Sequence, residues 1–433
     1  MIWNEKMECM APDALKAVQS ERLRETVRRV AANCPPYQKV LAGLGVTAEH
    51  IHSIDDLPTL PFTTKEDTRD NYPFGLFSAP LAQIAEIHVS SGTTGNPTVA
   101  GYTREDIALW SEVMARALAC AGAIPGDMIQ IAYGYGLFTG GLGFHYGALT
   151  MGLTILPISA GGTNRQLKLM ADFRPRLLAC TPSYCLYMAE QAREMGLDPR
   201  QSSWAIGSFG AEPWSESMRQ AIEAAWNMVA LDVYGLSEII GPGVAHECSY
   251  KDGLHVFSDV FYPEVIDPKT GRDVAEGSEG ELVLTTLTKQ GMPLLRYRTR
   301  DIVSINRRPC RCGRTSPRIS KIQGRTDDMI IVRGINVFPS QVEHVLLRIA
   351  GIQPYYQLIV DRKAGEMDEL EVLVEAEEKV FFGDADKKRA LQAKVRKDIQ
   401  SSLGVAASVT LVEPKKLERS EGKAKRVVDK RVL

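Results

Sequence analysis

The sequence predicts an α/β protein, and three observations lead to that class. Helical segments alternate with short apolar runs from about residue 105 to 235, the pattern of a largely parallel sheet covered by helices. From 243 to 305 short alternating strands take over, punctuated by Asp252-Gly253, Asp267-Pro268 and Glu279-Gly280, which reads as an antiparallel appendage. The last hundred residues mix strand and helix patterns on a smaller scale, as a separate α+β unit would.

In chain order, Leu15 to Asn33 reads as an amphipathic helix, and Pro35-Pro36 opens another short one. Ile84 to Val89 is an apolar strand, followed by Pro97-Thr98-Val99-Ala100. Helices are expected over Glu105 to Gly122 and Gly140 to Met151. Strands are expected over Met128 to Tyr133, Leu153 to Ile158, Leu177 to Cys180, Ala205 to Phe209 and Val229 to Val233. Beyond a polar boundary near Gly324-Arg325-Thr326-Asp327, strands are predicted at Met329 to Val332, Asp368 to Glu375 and Ser408 to Val412. Helices are predicted there at Ser340 to Ile349 and Asp386 to Leu403.

Composition narrows the function. A chain of 433 residues with 44% hydrophobic content can bury two or three cores. A formal charge of −2 and the lack of a long basic tract argue against a nucleic-acid partner. No run of about 18 apolar residues spans a membrane, and the N-terminus has no signal-peptide core. Eight cysteines in a chain of this size point to a reducing cytoplasm rather than to a disulfide framework. A homodimer is left open as the assembly.

Ser90-Ser91-Gly92-Thr93-Thr94-Gly95 offers four hydroxyls, and two glycines that let backbone N–H groups approach an anion. It is a phosphate cradle of neutral donors, distinct from the P-loop, which carries a lysine. Tyr234-Gly235-Leu236-Ser237-Glu238 follows a strand, so its turn falls at the carboxyl end of the sheet, where open α/β sheets bind ligands. Asp301, in Arg296-Tyr297-Arg298-Thr299-Arg300-Asp301, offers a carboxylate to a ribose diol, with the arginines holding it ionised. Gly324 to Asp328 with Arg333-Gly334-Ile335-Asn336, and Ser420-Glu421-Gly422-Lys423, complete the set.

In this order, these segments resemble the adenylate-forming superfamily of acyl-CoA synthetases, luciferases and peptide synthetases. Tyr133 to Gly141, Gly210-Ala211-Glu212-Pro213-Trp214, Leu294 to Asp301 and Asp327 to Ser340 are similar to its phenylacetate–CoA ligase branch, as is Arg300 where most of the superfamily has glycine. The resemblance covers about residues 10 to 430. It implies a large adenylation domain over 1–326 that binds ATP and the acid, and a small mobile C-terminal domain over 327–433 that carries a catalytic lysine.

The resemblance also implies roles. Ser90, Ser91, Gly92, Thr93, Thr94 and Gly95 would hold the β- and γ-phosphates of ATP. Gly210, Ala211 and Glu212 would line the adenine, Tyr234 would stack on it, Gly235 would belong to the nucleotide site, and Asp301 assisted by Arg325 would take the ribose. Glu238 would bind Mg²⁺, Lys423 would bridge the carboxylate and the α-phosphate, and Asp327 would be the hinge. Arg333 and Gly334 would flank the pantetheine arm of coenzyme A. Tyr135 and Phe138, with Ile239, Ile240 and Pro242, would wall the acyl pocket, where aromatic surfaces suit an aryl ring. No cation lies in these stretches to pair a second carboxylate, so an arylacetic acid is expected, phenylacetate first. Indoleacetate, hydroxyphenylacetate and a benzoate stay open.

The chemistry is separable from the family. Attack of a carboxylate on an α-phosphate joins two anions, so positive charge and positioning are needed more than a base. The following thiol attack finds the same lysine in its way, a physical motive for a C-terminal unit that rotates. Adenylyl transfer to a cofactor hydroxyl, as in synthetases that resemble this branch, is a second reading. A non-catalytic nucleotide-binding module is a third, disfavoured by the joint presence of Glu238, Asp301 and Lys423.

A metal site is expected outside this chemistry. Cys310-Arg311-Cys312-Gly313 is a tight thiol pair. If Asp252-Gly253 closes a hairpin, Cys248 and either His246 or His255 can join it, and His255 is preferred because ligands from both arms clamp the turn. Cys248, His255, Cys310 and Cys312 then make a closed structural Zn²⁺ site. Cysteines 9, 34, 120, 180 and 185 read as inert.

Overall fold

The computed structural model describes residues 1–90, 96–326, 329–333, 335–362, 368–420 and 424–431. The chain forms two compact units. The first comprises Met1–Cys180, Ser203–Ala211 and Val229–Lys321; the second comprises Thr181–Ser202, Glu212–Met228 and Ile322–Leu433.

The first unit carries strands β1 (Ile84–Val89), β2 (Val99–Thr103), β3 (Met128–Ile131), β4 (Thr154–Pro157), β5 (Leu177–Cys180), β6 (Ile206–Gly210), β7 (Val229–Leu236), β8 (Gly241–Glu247), β9 (Leu254–Val256), β10 (Phe261–Ile266), β11 (Gly280–Thr286), β12 (Tyr297–Val303), β13 (Ile305–Asn306) and β14 (Arg318–Ile319). Nine of them form one sheet in the order β13-β14-β9-β8-β7-β6-β5-β3-β4. From β4 to β7 every pairing is parallel, and from β7 outward every pairing is antiparallel. Strands β5 and β6 are buried throughout, as expected of a parallel sheet covered on both faces. β1 pairs with β2, and β10, β11 and β12 pair antiparallel in a further sheet.

The expected antiparallel block is therefore divided. Residues 241–256 extend the main sheet, because the turn after β7 sends β8 straight back along it with Tyr234 opposite Ala245. Only β10 to β12 make the appendage.

Helix Arg104–Ala121 starts in a capping box between Thr103 and Asp106 and ends at Gly122 in the left-handed region. Helix Thr139–Met151 lies against it through small residues. A Cβ at Gly147 would come within 2.4 Å of the Met114 Cβ and 2.7 Å of its carbonyl carbon, so only glycine permits this approach.

The second unit contains helices Pro182–Glu194 and Glu216–Trp226, the short strand β15 (Gly324–Arg325), the hairpin β16 (Ile330–Val332) with β17 (Ile335–Val337), and helices Pro339–Leu346 and Ala385–Leu403. Its main sheet is built from β18 (Ile352–Asp361), β19 (Glu369–Ala376), β20 (Ser408–Val412) and β21 (Val427–Asp429), in the order β20-β19-β18-β21. The core of this unit gathers Val332, Val342, Leu346, Leu358, Val372, Val374, Val395 and Ile399. The basic end of the chain is thus not a free tail, since Val427–Asp429 pairs in parallel with β18. Among the described residues no helix is long and apolar enough to cross a membrane.

Candidate active site

The carboxyl end of β7 gathers the expected nucleotide residues of the first unit. Tyr234 is buried on β7 and donates its hydroxyl to Asp301 Oδ2 at 2.5 Å, joining the main sheet to the β10–β12 sheet. Asp301 lies where β12 bulges, because Glu281 faces Ile302 while Val283 faces Arg298. Arg300 occupies the bulge at φ 68°, a conformation easy for glycine and strained for arginine. The bulge aims Asp301 inward.

The neighbouring arginines each reach a carboxylate. Arg296 Nη2 lies 2.8 Å from Glu264, Arg298 Nη2 lies 2.5 Å from Glu281, and Arg300 Nη2 lies 3.9 Å from Glu66.

Gly235 is required by close approach, since a Cβ there would meet the Gly241 carbonyl oxygen at 1.8 Å. After it the chain turns tightly, with the Ile239 and Ile240 N–H groups both on the Leu236 carbonyl at 3.1 Å. That turn buries Glu238 to 7% exposure, together with Ile239 and Ile240. Tyr102 Oη donates to the Ser237 carbonyl at 3.0 Å, and Ser237 Oγ meets Thr139 Oγ1 at 3.2 Å.

Sequence reasoning missed Lys289. Buried, it donates to the Glu238 carbonyl at 3.2 Å and sits 4.5 Å over the Tyr102 ring. Burial lowers its pKa to about 8, against the pull of Asp106 and Glu238. Asp106 also accepts the N–H groups of Gln290 and Gly291 at 2.6 and 2.7 Å, so one carboxylate caps its own helix and fixes the loop holding the lysine.

The acyl-pocket candidates divide by exposure. Ile239 and Ile240 are fully buried, Tyr135 and Pro242 are half-buried, and Phe138 is 40% exposed. The Pro242 carbonyl accepts from Trp110 Nε1 at 2.9 Å, and Tyr135 Oη meets His145 Nδ1 at 3.3 Å. Tyr133 stacks on Phe144 with ring centroids 5.4 Å apart.

Ser90 donates its N–H to the Thr98 carbonyl at 2.9 Å at the end of β1. Ser91, Gly92, Thr93, Thr94, Gly95, Asp327, Gly334 and Lys423 lie outside the described residues. At the end of β6, a Cβ on Gly210 would meet the Val233 carbonyl oxygen at 2.2 Å, and Ala211 adopts φ 69°. Glu212, Arg325 and Arg333 belong to the second unit. Glu212 accepts the Ser183 N–H at 2.8 Å on one oxygen and the Ala424 N–H at 3.0 Å on the other. Arg325 lies on β15, half-buried. Arg333 stands at φ 51° and donates Nε to the Asp368 carbonyl at 2.8 Å.

The thiol cluster assembles away from this turn. Ligand atoms of Cys248, His255, Cys310 and Cys312 all lie within 4.8 Å of one another. The Cys248 and Cys310 sulfurs are 3.8 Å apart, and Cys312 Sγ is 3.4 Å from His255 Nε2. Two Zn–S bonds of about 2.3 Å at the tetrahedral angle would separate sulfurs by about 3.8 Å, so the donor set fits that ion. His255 presents Nε2 while Nδ1 meets Ser316 Oγ at 3.4 Å, the usual support for a ligating imidazole. His246 faces His255 in register but has both nitrogens engaged, Nε2 with Ser208 Oγ at 2.8 Å and Nδ1 with the Glu247 carbonyl at 2.6 Å.

A hydrogen bond from Cys248 lowers the Cys312 pKa, and His255 adds to this, while the same bond raises Cys248. Arg314 lies 3.7 Å from the Cys312 sulfur and 2.5 Å from the buried Glu8. Cys120, which the sequence suggests is inert, packs against Cys248 and Cys310, and Cys9 Sγ meets the Gly313 carbonyl at 3.3 Å.

Residues 28–288 match the model of the AMP-binding enzyme family, and 334–431 match that of the AMP-binding enzyme C-terminal domain. The chain is 49% identical to a phenylacetate–coenzyme A ligase of Aromatoleum evansii, covering 99% of this chain and 97% of that protein. It is 45% identical to one of Escherichia coli strain K12, over 100% and 99%. A crystal structure of 2-hydroxyisobutyryl-CoA ligase in the postadenylation state superposes with a TM-score of 0.93 at 28% identity, covering 98% of this chain and 91% of that one. On this evidence the chain belongs to the AMP-binding enzyme family, in the branch of the phenylacetate–coenzyme A ligases.

Proposed function

We propose that this chain is an AMP-forming ligase that activates an arylacetic acid, phenylacetate first, and transfers the acyl group to coenzyme A. The observation that carries this reading is the full-length similarity to phenylacetate–coenzyme A ligases, at 44–49% identity.

In the first step a carboxylate oxygen attacks the α-phosphorus of ATP, and the bond to the bridging oxygen breaks with pyrophosphate leaving. In the second, the thiol sulfur of coenzyme A attacks the acyl carbon, its proton is lost and AMP departs. Tyr234 and Asp301, already joined, would present one ring face to adenine and one carboxylate to the ribose. A carboxylate suits a ribose diol, and the burial of Asp301 limits competing water. The buried Glu238 carboxylate suits a hard cation, and Mg²⁺ bound there would neutralise phosphate charge. Ser90 to Gly95 would hold the β- and γ-phosphates. Lys423 would supply the moving positive charge, Asp327 the hinge between domains 1–326 and 327–433, and Arg333 with Gly334 the flank of the pantetheine arm. Ile239, Ile240, Pro242, Tyr135 and Phe138 would wall the aryl ring. The four-residue thiol and imidazole cluster would hold a structural zinc. We place the protein in the cytoplasm, and a homodimer is the assembly to test by mass in solution.

Lys423→Ala, assayed with phenylacetate and ATP, should release pyrophosphate at least about 100-fold more slowly, while CoA-dependent consumption of supplied phenylacetyl-adenylate falls far less. Equal survival of both half-reactions would reject the lysine assignment. Failure of phenylacetate against a panel of aryl acids would reject the substrate.

A further inference from the structure

The chemistry proposed above leaves one buried histidine unused. His88 stands two positions before Ser90 on β1, and Glu86 shares its face of the strand because side chains alternate. His88 Nε2 lies 2.6 Å from Glu86 Oε1, and Nδ1 lies 3.0 Å from the Leu137 carbonyl oxygen. Glu86 Oε2 accepts the Tyr146 hydroxyl at 2.7 Å. Burial pushes the Glu86 carboxyl up, but the bonds from His88 and Tyr146 outweigh it and hold the group below its usual range. A carbonyl and an ionised carboxylate only accept, so the bonding pattern assigns a ring that donates from both nitrogens.

Aromatic edges close in on that ring. The Tyr102 centroid lies 5.4 Å away and the Trp110 centroid 5.6 Å, both nearly perpendicular to it. A buried ion pair adds little stability over apolar packing of the same volume. What this one supplies is direction.

The direction is toward Leu137. Its carbonyl takes a second donor from β1, the Val89 N–H at 3.3 Å. The Leu137 side chain is 61% exposed and Phe138 is exposed beside it, so apolar packing does little to hold this stretch. Further back, Tyr135 donates its N–H to Ser159 Oγ at 3.3 Å. The loop carrying Tyr135 and Phe138 is thus hung on hydrogen bonds. Of these three, the bond from His88 is the shortest and is charge-assisted.

We propose that His88, oriented by Glu86, is a positioning residue for the carboxylic acid: it fixes the loop that presents Tyr135 and Phe138, and so sets affinity for the acid and not for ATP. This rests on Tyr135 and Phe138 walling the aryl ring. A role confined to stability would act differently. β1 runs straight into Ser90, so loosening the strand would weaken ATP and acid binding together.

The test uses the full chain with Mg²⁺-ATP, phenylacetate and saturating coenzyme A, and reads KM for the acid and for ATP separately. In His88→Gln the amide nitrogen takes the place of Nε2, leaving the Leu137 carbonyl without this donor. KM for phenylacetate should rise at least about fivefold, with KM for ATP changed less than about twofold. In His88→Asn the amide nitrogen stands where Nδ1 stood, so KM for the acid should return to within about twofold of the parent. Glu86→Ala, which frees the ring without removing it, should raise KM for the acid about threefold, and it carries the test alone if neither His88 variant folds. An unchanged acid KM in His88→Gln, equal rises for acid and ATP, or an asparagine variant no better than the glutamine one would overturn the positioning role. Tyr135→Ala and Phe138→Ala separate the two layers. A raised acid KM in these with an unchanged one in His88→Gln removes the histidine alone. An unchanged acid KM in all of them would sink the wall assignment, and the positioning role with it.

Discussion

At the residue scale, Lys289 shows how a full charge is kept beneath the metal-binding candidate Glu238. The Tyr102 ring and the Glu238 carbonyl replace its water, and Asp106 fixes the loop that carries it. Lys289→Met, close in volume, leaves the buried Glu238 carbonyl without this donor. It should cost about 1–3 kcal/mol of stability, read from urea unfolding. An unchanged midpoint would show that the carbonyl finds another partner. The local sequence did not reveal this lysine, because Thr288-Lys289-Gln290-Gly291 has the texture of an exposed turn. Its burial is decided by Tyr102, almost two hundred positions away. Cys310, Cys312, Cys248 and His255 were legible, since thiol spacing and hairpin parity are local properties. The choice between His246 and His255 became physical only once Ser208 was seen to occupy one of them.

At the element scale, helices and long strands were readable because each repeats its apolar period over several turns or pleats. The second unit was harder. Ile352–Asp361 is its longest strand, but Pro354 and two glutamines break the alternation, and Ile335–Val337 and Val427–Asp429 are too short to show a period. The bulge in β12 was hidden for a related reason: it resets which face each residue takes, and the sequence does not display it. Helix Thr139–Met151 offers the sharpest test at this scale. Glycine to alanine in a helix interior ordinarily stabilises by about 1 kcal/mol. At Gly147 the new methyl would collide with the backbone of Met114, so Gly147→Ala should destabilise by about 1–3 kcal/mol, checked by thermal melting. A raised Tm would mean that the two helices can separate without penalty.

At the scale of the whole molecule, the thiol cluster ties together parts of the first unit that are remote in sequence. Cys248 and His255 flank the β8–β9 turn, Cys310 and Cys312 lie between β13 and β14, and Arg314 with Glu8 joins the N-terminal segment. Protein purified without chelator should hold about one zinc per chain, and a strong chelator or Cys310→Ser should lower the Tm by about 5–10 °C. Metal content near zero in folded protein would dismiss the site.

The parallel pairing of Val427–Asp429 with β18 has a consequence for how the C-terminal sheet is completed during synthesis. One flank of β18 is covered by a strand that emerges after every other strand of that sheet. Until it arrives, β18 presents an open row of backbone donors and acceptors, a template on which another chain can pair.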